Sequence, residues 1–418
     1  MSLFKKIINT EEKKRLLENY FSLVFLQGAN FILPLLTLPY LVRVLGAEKF
    51  GLVMFAQSFI VFFNIIVDFG FNLSATREIS VHRDNKEKVT EIYSAIMTIK
   101  FILFFISFFI LFFIISIFDK FSQDSNLYLL TFLMVFGQML FPVWYFQGME
   151  KMKLVTIVNV ISKIIFTVLV FVVIQEKSDY IYVPLINGVG FIFGGILSLI
   201  ILHMKFNQKF KISSFSSLKY YFLDSSQYFL SRISVTLYTA SNAFILGIFT
   251  NNTMVGYYSI AEKLYQALQQ MYQPIIRTLY PYIAKYNNIK LFKKIFIISI
   301  TLNIFGIFLL YFFANNIFEM LFTQNIGTQS LDVFYIFLIA SAIVIPSVFL
   351  GYPFLGALGF PKYANLSVVY GSIFHIIGLG ILVFFQNITI YSVAYMVVAT
   401  EVLVLATRVY WVRKEKLW

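Results

Sequence analysis

The sequence predicts an all-α integral membrane protein: twelve transmembrane helices in two six-helix lobes, related by a pseudo-two-fold axis along the membrane normal. Three observations predict it. Hydrophobic residues make up 59% of the 418-residue chain, charged residues 13%, and the mean hydropathy is +0.81, whereas a soluble domain is about half apolar and about a quarter charged. Apolar runs of membrane-spanning length recur twelve times between charged or turn-rich breaks. A sequence motif near the first turn returns half a chain later.

Taken in order, the charged segment 1–18 reads as a cytoplasmic amphipathic helix, with Thr10 as its N-cap and Glu11 and Glu12 in its first turn. The N-lobe follows over 19–204, with spans near 19–42, 51–73, 92–118, 126–147, 153–175 and 181–204. Pro34 and Pro39 fall inside the first span, where neighbouring helices can satisfy the carbonyls that proline frees. The stretch from Gly46 to Gly51 supplies the turn into the second span. Residues 205–221 form a cytoplasmic inter-lobe loop. The C-lobe, 222–410, holds spans near 222–249, 254–284, 291–314, 329–356, 363–385 and 388–410, and 411–418 is a cytoplasmic tail.

The repeat rests on two matches. Phe50, Gly51 and Ala56 correspond to Val255, Gly256 and Ala261 at an offset of 205, and the segment from Gly148 to Lys153 resembles that from Ala357 to Lys362 at an offset of 209. Six spans per copy is an even number, so both copies enter the membrane with the same orientation, and binding sites in such proteins lie between the halves.

Orientation follows from the basic residues. With the N-terminus inside, the cytoplasmic segments hold 24 Lys and Arg and the outer segments four, the terminal cluster being Arg408, Arg413, Lys414 and Lys416. That asymmetry places both termini in the cytoplasm. Fusions of a cytoplasm-only reporter at Phe210 and Lys416 are therefore expected to be active and one at Asn251 silent; activity at Asn251 would overturn both orientation and repeat.

Polar side chains in a bilayer core face the bundle interior or a wet cavity, and helical spacing shows which helices line it. Span seven carries Ser225, Tyr228, Arg232, Thr236, Thr239 and Asn242; span eight carries Glu262, Gln266, Gln269, Gln273 and Arg277, with Lys263 beside Glu262. Their repeat mates carry Gln27, Asn30 and Thr37, and Gln57, Asn64, Asp68 and Asn72. A single Ser or Gln serves as glue between helices. Two stripes of four turns, each with an Arg that costs at least ~2.5–3.5 kcal/mol at mid-membrane, point instead to a central hydrophilic cleft. Arg232 stands about ten residues, or roughly 15 Å, into the seventh span. Lys100 in span three can snorkel. His375 and Glu401 lie at similar depth on consecutive helices and can form either a proton relay or a structural hydrogen bond; with Asp68 they are the candidate coupling residues.

Enzymatic and cofactor motifs are missing. The three histidines are dispersed, there is no cysteine, no GxxxxGK[ST] phosphate loop occurs, and no hydrophilic loop is long enough for a catalytic domain. The expectation is a transporter without metal or cofactor, coupled if at all to H+ or Na+, and the net charge of +13 is assigned to cytoplasmic loops rather than to nucleic-acid binding.

The run PLLTLPYLVRVLGAEKFG, DFGFNLSATREIS at 68–80 and VGYYSIAEKL at 255–264 resemble bacterial polysaccharide flippases of the Wzx type, whose superfamily also holds the MATE multidrug exporters and the lipid II flippase. The resemblance spans essentially the whole chain. It implies a multi-pass protein of the bacterial inner membrane that moves an undecaprenyl-pyrophosphate-linked oligosaccharide from the cytoplasmic to the periplasmic leaflet, for O-antigen or a related surface polysaccharide. It also implies a V-shaped cleft lined by the first two helices of each lobe, which are the four striped helices. A structural role is implied for the Asp68–Arg77 elbow, and membrane lipids and the polysaccharide polymerase are candidate partners. Two other readings compete. A cation-coupled exporter of small cationic compounds favours an acidic cavity, against Arg232, Lys263 and Arg277 facing Asp68 and Glu262 here. A membrane-embedded glycan polymerase or ligase needs a large outer loop, and the outer loops are short.

Overall fold

The computed structural model describes the backbone of residues 11–418, and the side chains of residues 32–418 except 230, 231, 234, 235, 324 and 325. The first stripe residues, Gln27 and Asn30, and most of the expected N-terminal helix lie outside the described side chains. Every regular element among the described residues is helical. α1 (Glu11–Asp68) turns on Gly46, whose backbone (φ 73°, ψ 171°) leaves the helical region without ending the hydrogen-bond pattern. This is the turn expected between the first two spans, and a residue without a Cβ adopts it without strain. α2 (Phe71–Val81) and α3 (Lys86–Ile117) follow. Next come the short α4 (Asp119–Ser122), then α5 (Ser125–Leu140), α6 (Val143–Gly148), α7 (Met152–Val173) and α8 (Tyr182–Phe206). The second half comprises α9 (Phe215–Thr239), α10 (Ser241–Phe249), α11 (Asn252–Gln270), α12 (Gln273–Tyr286), α13 (Ile289–Leu321) and α14 (Gln324–Leu350). A π-helical turn (Gly351–Gly356) leads into α15 (Pro361–Phe384) and α16 (Ile390–Lys414).

Among the described residues, nine segments are long and apolar enough to cross a membrane. The first, Ile32–Val81, has 50 residues, about 75 Å at 1.5 Å per residue, and therefore cannot be one crossing of a ~30 Å core. The helices α9 to α12 are absent from the nine: α10 and α12 have only 9 and 14 residues, and the polar stripes of α9 and α11 dilute their apolarity.

The duplication is visible bond by bond. Around Gly148 the backbone bonds run Met149 N to Tyr145 O, Glu150 N to Gln147 O, Lys151 N to Phe146 O and Leu154 N to Lys151 O; around Gly356 they run Leu358 N to Phe354 O, Gly359 N to Gly356 O, Phe360 N to Leu355 O and Tyr363 N to Phe360 O. All four pairs correspond at the offset of 209 read from the sequence. The left-handed residue of each turn corresponds too, Glu150 (φ 55°) with Gly359 (φ 93°). A helix break also occurs in each copy, at Phe69–Gly70 after α1 and, displaced by three residues from the offset of 205, at Met271–Tyr272 between α11 and α12.

The chain forms two compact units. One comprises the chain up to Pro34 with Phe59–Ile233, the other Leu35–Ser58 with Ser234–Trp418. In the first, α2 and α6 bury Phe71, Ile79, Trp144 and Phe146 against Ile92 and Ile96 of α3. Phe101, Phe105, Phe109 and Phe112 lie exposed along the same helix, an apolar face suited to lipid. In the second unit, the Arg43 guanidinium donates through Nε to Leu321 O (2.8 Å) and through Nη2 to Met320 O. A fixed cation thus satisfies the last carbonyls of α13 and complements its dipole.

The second unit also contains the closest helix crossing described. A Cβ built on Gly51 would lie 1.7 Å from Asn252 O and 2.6 Å from Gly256 N, and one on Gly256 would lie 2.2 Å from Ala47 O. Residues 47 and 252, and 51 and 256, are repeat mates at offset 205, so the two copies of the motif pack on each other reciprocally. Phe55 stacks on Phe244 (5.8 Å) and fills the space over Gly247 next to the crossing.

Candidate functional site

In the first unit the site is built around the break between α1 and α2. Phe69 (φ 43°) and Gly70 (φ 80°) take left-handed backbone, which ends α1 at Asp68 and starts α2 afresh. A broken helix at membrane depth exposes free helix termini and is tolerated only where protein or water covers it. The cover is α9. A Cβ on Gly70 would come within 2.8 Å of Tyr228 Cβ and 2.9 Å of Phe229 N, and Phe69 stacks on Phe222 (4.4 Å) and Phe229 (4.6 Å). Ser74 and Ser225 share a hydrogen bond of 2.7 Å. Arg77 donates to both Asp224 oxygens (3.0 and 3.1 Å), to Glu78 (2.9 Å) and to the Tyr228 hydroxyl (3.1 Å). Ser225 and Tyr228, read from spacing as cleft-lining, therefore hold α9 onto α2.

Above this zipper the chemistry changes. Asp68 accepts a hydrogen bond from Asn72 Nδ2 (2.7 Å) and feels the charges of Lys100 and Arg232. Lys100 is 3% exposed and lies buried within the unit rather than snorkelling as the sequence allowed, with Asp68 acting on it electrostatically. Arg232 is exposed on α9, 17 residues after the helix begins at Phe215, about 25 Å along the axis. The helix starts before the apolar run does, which is why the sequence placed this residue nearer its beginning. Asn64 lies half-buried one turn before Asp68. Asp68 and Arg77 are not bonded to each other; the elbow between them is the Phe69–Gly70 break.

The remaining predicted residues belong to the second unit. Gln266 and Arg277 are exposed, and Glu262, Lys263, Gln269 and Gln273 half-buried, along α11 and α12. Glu262 lies within electrostatic reach of Lys263 and of the buried Tyr258 hydroxyl, which has no hydrogen-bond partner among the described residues. His375 is fully buried, its Nδ1 bonded to Thr400 Oγ1 (2.8 Å) and its Nε2 to Asn242 Oδ1 (2.9 Å). Both ring nitrogens are thus engaged, and the direct His375–Glu401 pairing allowed by the sequence does not form. Neighbouring residues on a helix point about 100° apart, and it is Thr400, not Glu401, that faces the ring. Glu401, 6% exposed, lies instead within electrostatic reach of Arg408, Tyr238 and Tyr265.

Arg408 was assigned to the cytoplasmic cluster by sequence; it is 7% exposed inside the unit. Its Nε donates to Ser367 Oγ (2.9 Å) and its Nη1 to Ser347 O (2.6 Å) and Oγ (3.1 Å). The guanidinium lies against Gly351, where a Cβ would be 3.0 Å from Cζ. Buried and bonded through Nε and Nη1, it packs against the start of the π-helical turn. Among the described residues, no group of three or more His, Asp or Glu is placed to hold a metal ion.

Residues 16–287, well over half the chain, match the family described as polysaccharide biosynthesis protein. The chain belongs to the polysaccharide biosynthesis protein family. Two curated relatives carry the name "Putative O-antigen transporter". The one from Escherichia coli (strain K12) is 32% identical over 273 residues, which is 65% of this chain and 66% of the relative, just under two thirds of its length. The one from Shigella dysenteriae is 26% identical over 290 residues, 69% of this chain and 73% of the relative. Among solved structures, the lipid II flippase MurJ in an inward closed conformation gives a TM-score of 0.75 at 11% identity over 96% of this chain and 87% of that one. An inward-facing MATE multidrug transporter gives 0.69 at 14% identity, over 92% and 94%. The chain therefore shares its fold with those two structures, and its apolar helices make it a multi-pass membrane protein.

Proposed function

We propose that this protein flips an undecaprenyl-pyrophosphate-linked oligosaccharide from the cytoplasmic to the periplasmic leaflet of the bacterial inner membrane, by alternating access through a cationic cleft between two six-helix lobes of twelve spans. The observation that carries the reading is Arg232, exposed deep along α9 beside the α1–α2 break. An arginine at that depth does not face lipid. Its forked donors match the oxygens of a pyrophosphate, and the amides of Gln266, Gln269 and Gln273 suit sugar hydroxyls. The family supports a polysaccharide precursor as cargo, and the relatives named as O-antigen transporters support export of that precursor.

The charge balance separates this reading from a MATE-like exporter. Among the charged residues of the polar stripes, Arg232, Lys263 and Arg277 stand against Asp68 and Glu262, a surplus of one cation, which favours an anionic cargo. The α2–α9 zipper in the first unit and the Gly51–Gly256 crossing in the second are the seams that part in turn on the cytoplasmic and periplasmic sides. Asp68, His375 and Glu401 are the groups through which H+ or Na+ would drive the cycle.

The test is transport by the purified protein in vesicles. Fluorescent undecaprenyl-pyrophosphate oligosaccharide in the outer leaflet is expected to lose its susceptibility to an impermeant quencher as it is flipped, while ethidium gradients stay unchanged. Ethidium movement without lipid flipping would establish the exporter instead.

A further inference from the structure

The second unit carries a groove that the flippase reading does not use. It has a volume of about 660 Å³ and lies between α13, α14 and α16. Ile304 and Phe308 of α13 with Ile336, Ile339 and Ala342 of α14 form its apolar walls, and Asp332 lies at one end among Tyr311, Tyr335, Tyr391 and Tyr395. Asp332 is exposed and accepts a hydrogen bond from the Tyr391 hydroxyl (3.4 Å); Tyr311 and Tyr335 pack together beside it (5.3 Å). Among the described residues this carboxylate makes no ion pair, and no Lys, Arg or His lines the groove. An acidic side chain on a membrane-spanning helix marks a functional site by default, and this one has no cation within its own unit to answer it.

Depth decides what fills the groove. The span Ile326–Gly356 has 31 residues, about 46 Å at 1.5 Å per residue, against a hydrocarbon core of ~30 Å, so its ends reach past the core. Asp332 stands about 9 Å into that span, at headgroup level, on the side that the basic residues make periplasmic. Ala342 stands about 15 Å further along the helix, at mid-membrane. The groove therefore covers one leaflet. A transmembrane helix of a partner or of a second copy needs the full thickness, whereas an acyl chain ends where the groove does. We infer that the groove binds a phospholipid of the periplasmic leaflet whose headgroup carries a primary ammonium, as phosphatidylethanolamine does. The ammonium donates to Asp332, the tyrosine hydroxyls donate to the phosphate, and an acyl chain lies along Ile336, Ile339 and Ala342. A headgroup that is anionic and has no amine meets the carboxylate with no basic residue to offset it. The inference is independent of the cargo and of the route by which it crosses.

The experiment is native mass spectrometry of the full chain released from vesicles of equal phosphatidylethanolamine and phosphatidylglycerol. The wild type is expected to retain one phosphatidylethanolamine per chain, about tenfold over phosphatidylglycerol, the size of one hydrogen bond to a charged group. Phosphatidylcholine, a zwitterion with no N–H donor, is expected to compete as poorly as phosphatidylglycerol. Asp332→Asn is expected to retain phosphatidylethanolamine and phosphatidylglycerol equally. Ile339→Trp, which fills the groove from a residue 51% exposed, is expected to retain neither. Both positions are exposed, so the variants keep their core, and thermal unfolding in detergent adds a second readout: phosphatidylethanolamine raises the Tm of the wild type and of neither variant. Equal retention of the two lipids by the wild type overturns the inference, as does a preference that survives in Asp332→Asn. A lipid-free dimer that Ile339→Trp splits would show that a second copy covers the groove, and overturns it too. Each of these results leaves the flippase reading standing, because none of them measures movement of the cargo.

Discussion

Arg232→Ala cells are expected to lose surface glycan completely while the protein accumulates in the membrane at its normal level. The residue is exposed on α9, so truncation leaves no cavity and uncovers no core. Removing one partner of a desolvated charge pair costs about 2–5 kcal/mol of binding, which weakens affinity by about thirtyfold at the lower bound. Arg232→Lys returns the charge without the fork and is expected to restore glycan partly. A Gln at this position, which keeps hydrogen bonding without charge, should behave as Ala. Normal glycan in Arg232→Ala would remove the residue from the cargo site.

The sequence displayed some of this architecture because the physics behind it is local. The turns after Gly148 and Gly356 recur because a left-handed residue and four backbone bonds must fall in the same places, and that demand leaves small and polar residues at a fixed offset. The stripes of α9 and α11 were legible for the same reason: period 3.6 is a property of one helix. What stayed hidden depends on partners far apart in the chain. Lys100 faces Asp68, 32 residues away across a helix break, and from α3 alone a snorkelling side chain satisfies the sequence equally well. Arg408 stands among tail cations in sequence, yet its acceptors lie on α14 and α15. His375 and Glu401 share a depth but not a helix face. Spacing also cannot tell which part of a stripe is cleft and which is seam: Ser225 and Tyr228 join α2, while Arg232, one turn on, is exposed.

Gly51→Ala and Gly256→Ala are expected to be the most damaging single-methyl changes in the second unit, and to be equally damaging. Each added Cβ would fall well under 3 Å from main-chain atoms of the facing helix, where no side chain can swing aside. Overpacking in a well-filled core typically costs 1–3 kcal/mol, and a clash of backbone on both sides belongs at ~3 kcal/mol or above. Because Gly51 meets Asn252 and Gly256 meets Ala47, one crossing is lost in either variant. The double variant should therefore be hardly worse than each single one, a departure from additivity expected of residues in contact. Gly306→Ala on α13 supplies the opposite sign: nothing lies within 4 Å of its Cβ, and replacing a mid-helix Gly by Ala stabilises by up to about 1 kcal/mol. The chain has no cysteine, so Val255→Cys, beside the crossing and fully buried, reports on the seam without background. Its labelling by an impermeant maleimide from the periplasmic side should rise in Gly51→Ala and in Gly256→Ala, and stay at the wild-type level in Gly306→Ala. If Gly51→Ala melts with the wild type and leaves Val255→Cys unlabelled, the two copies of the motif do not close on each other in the membrane.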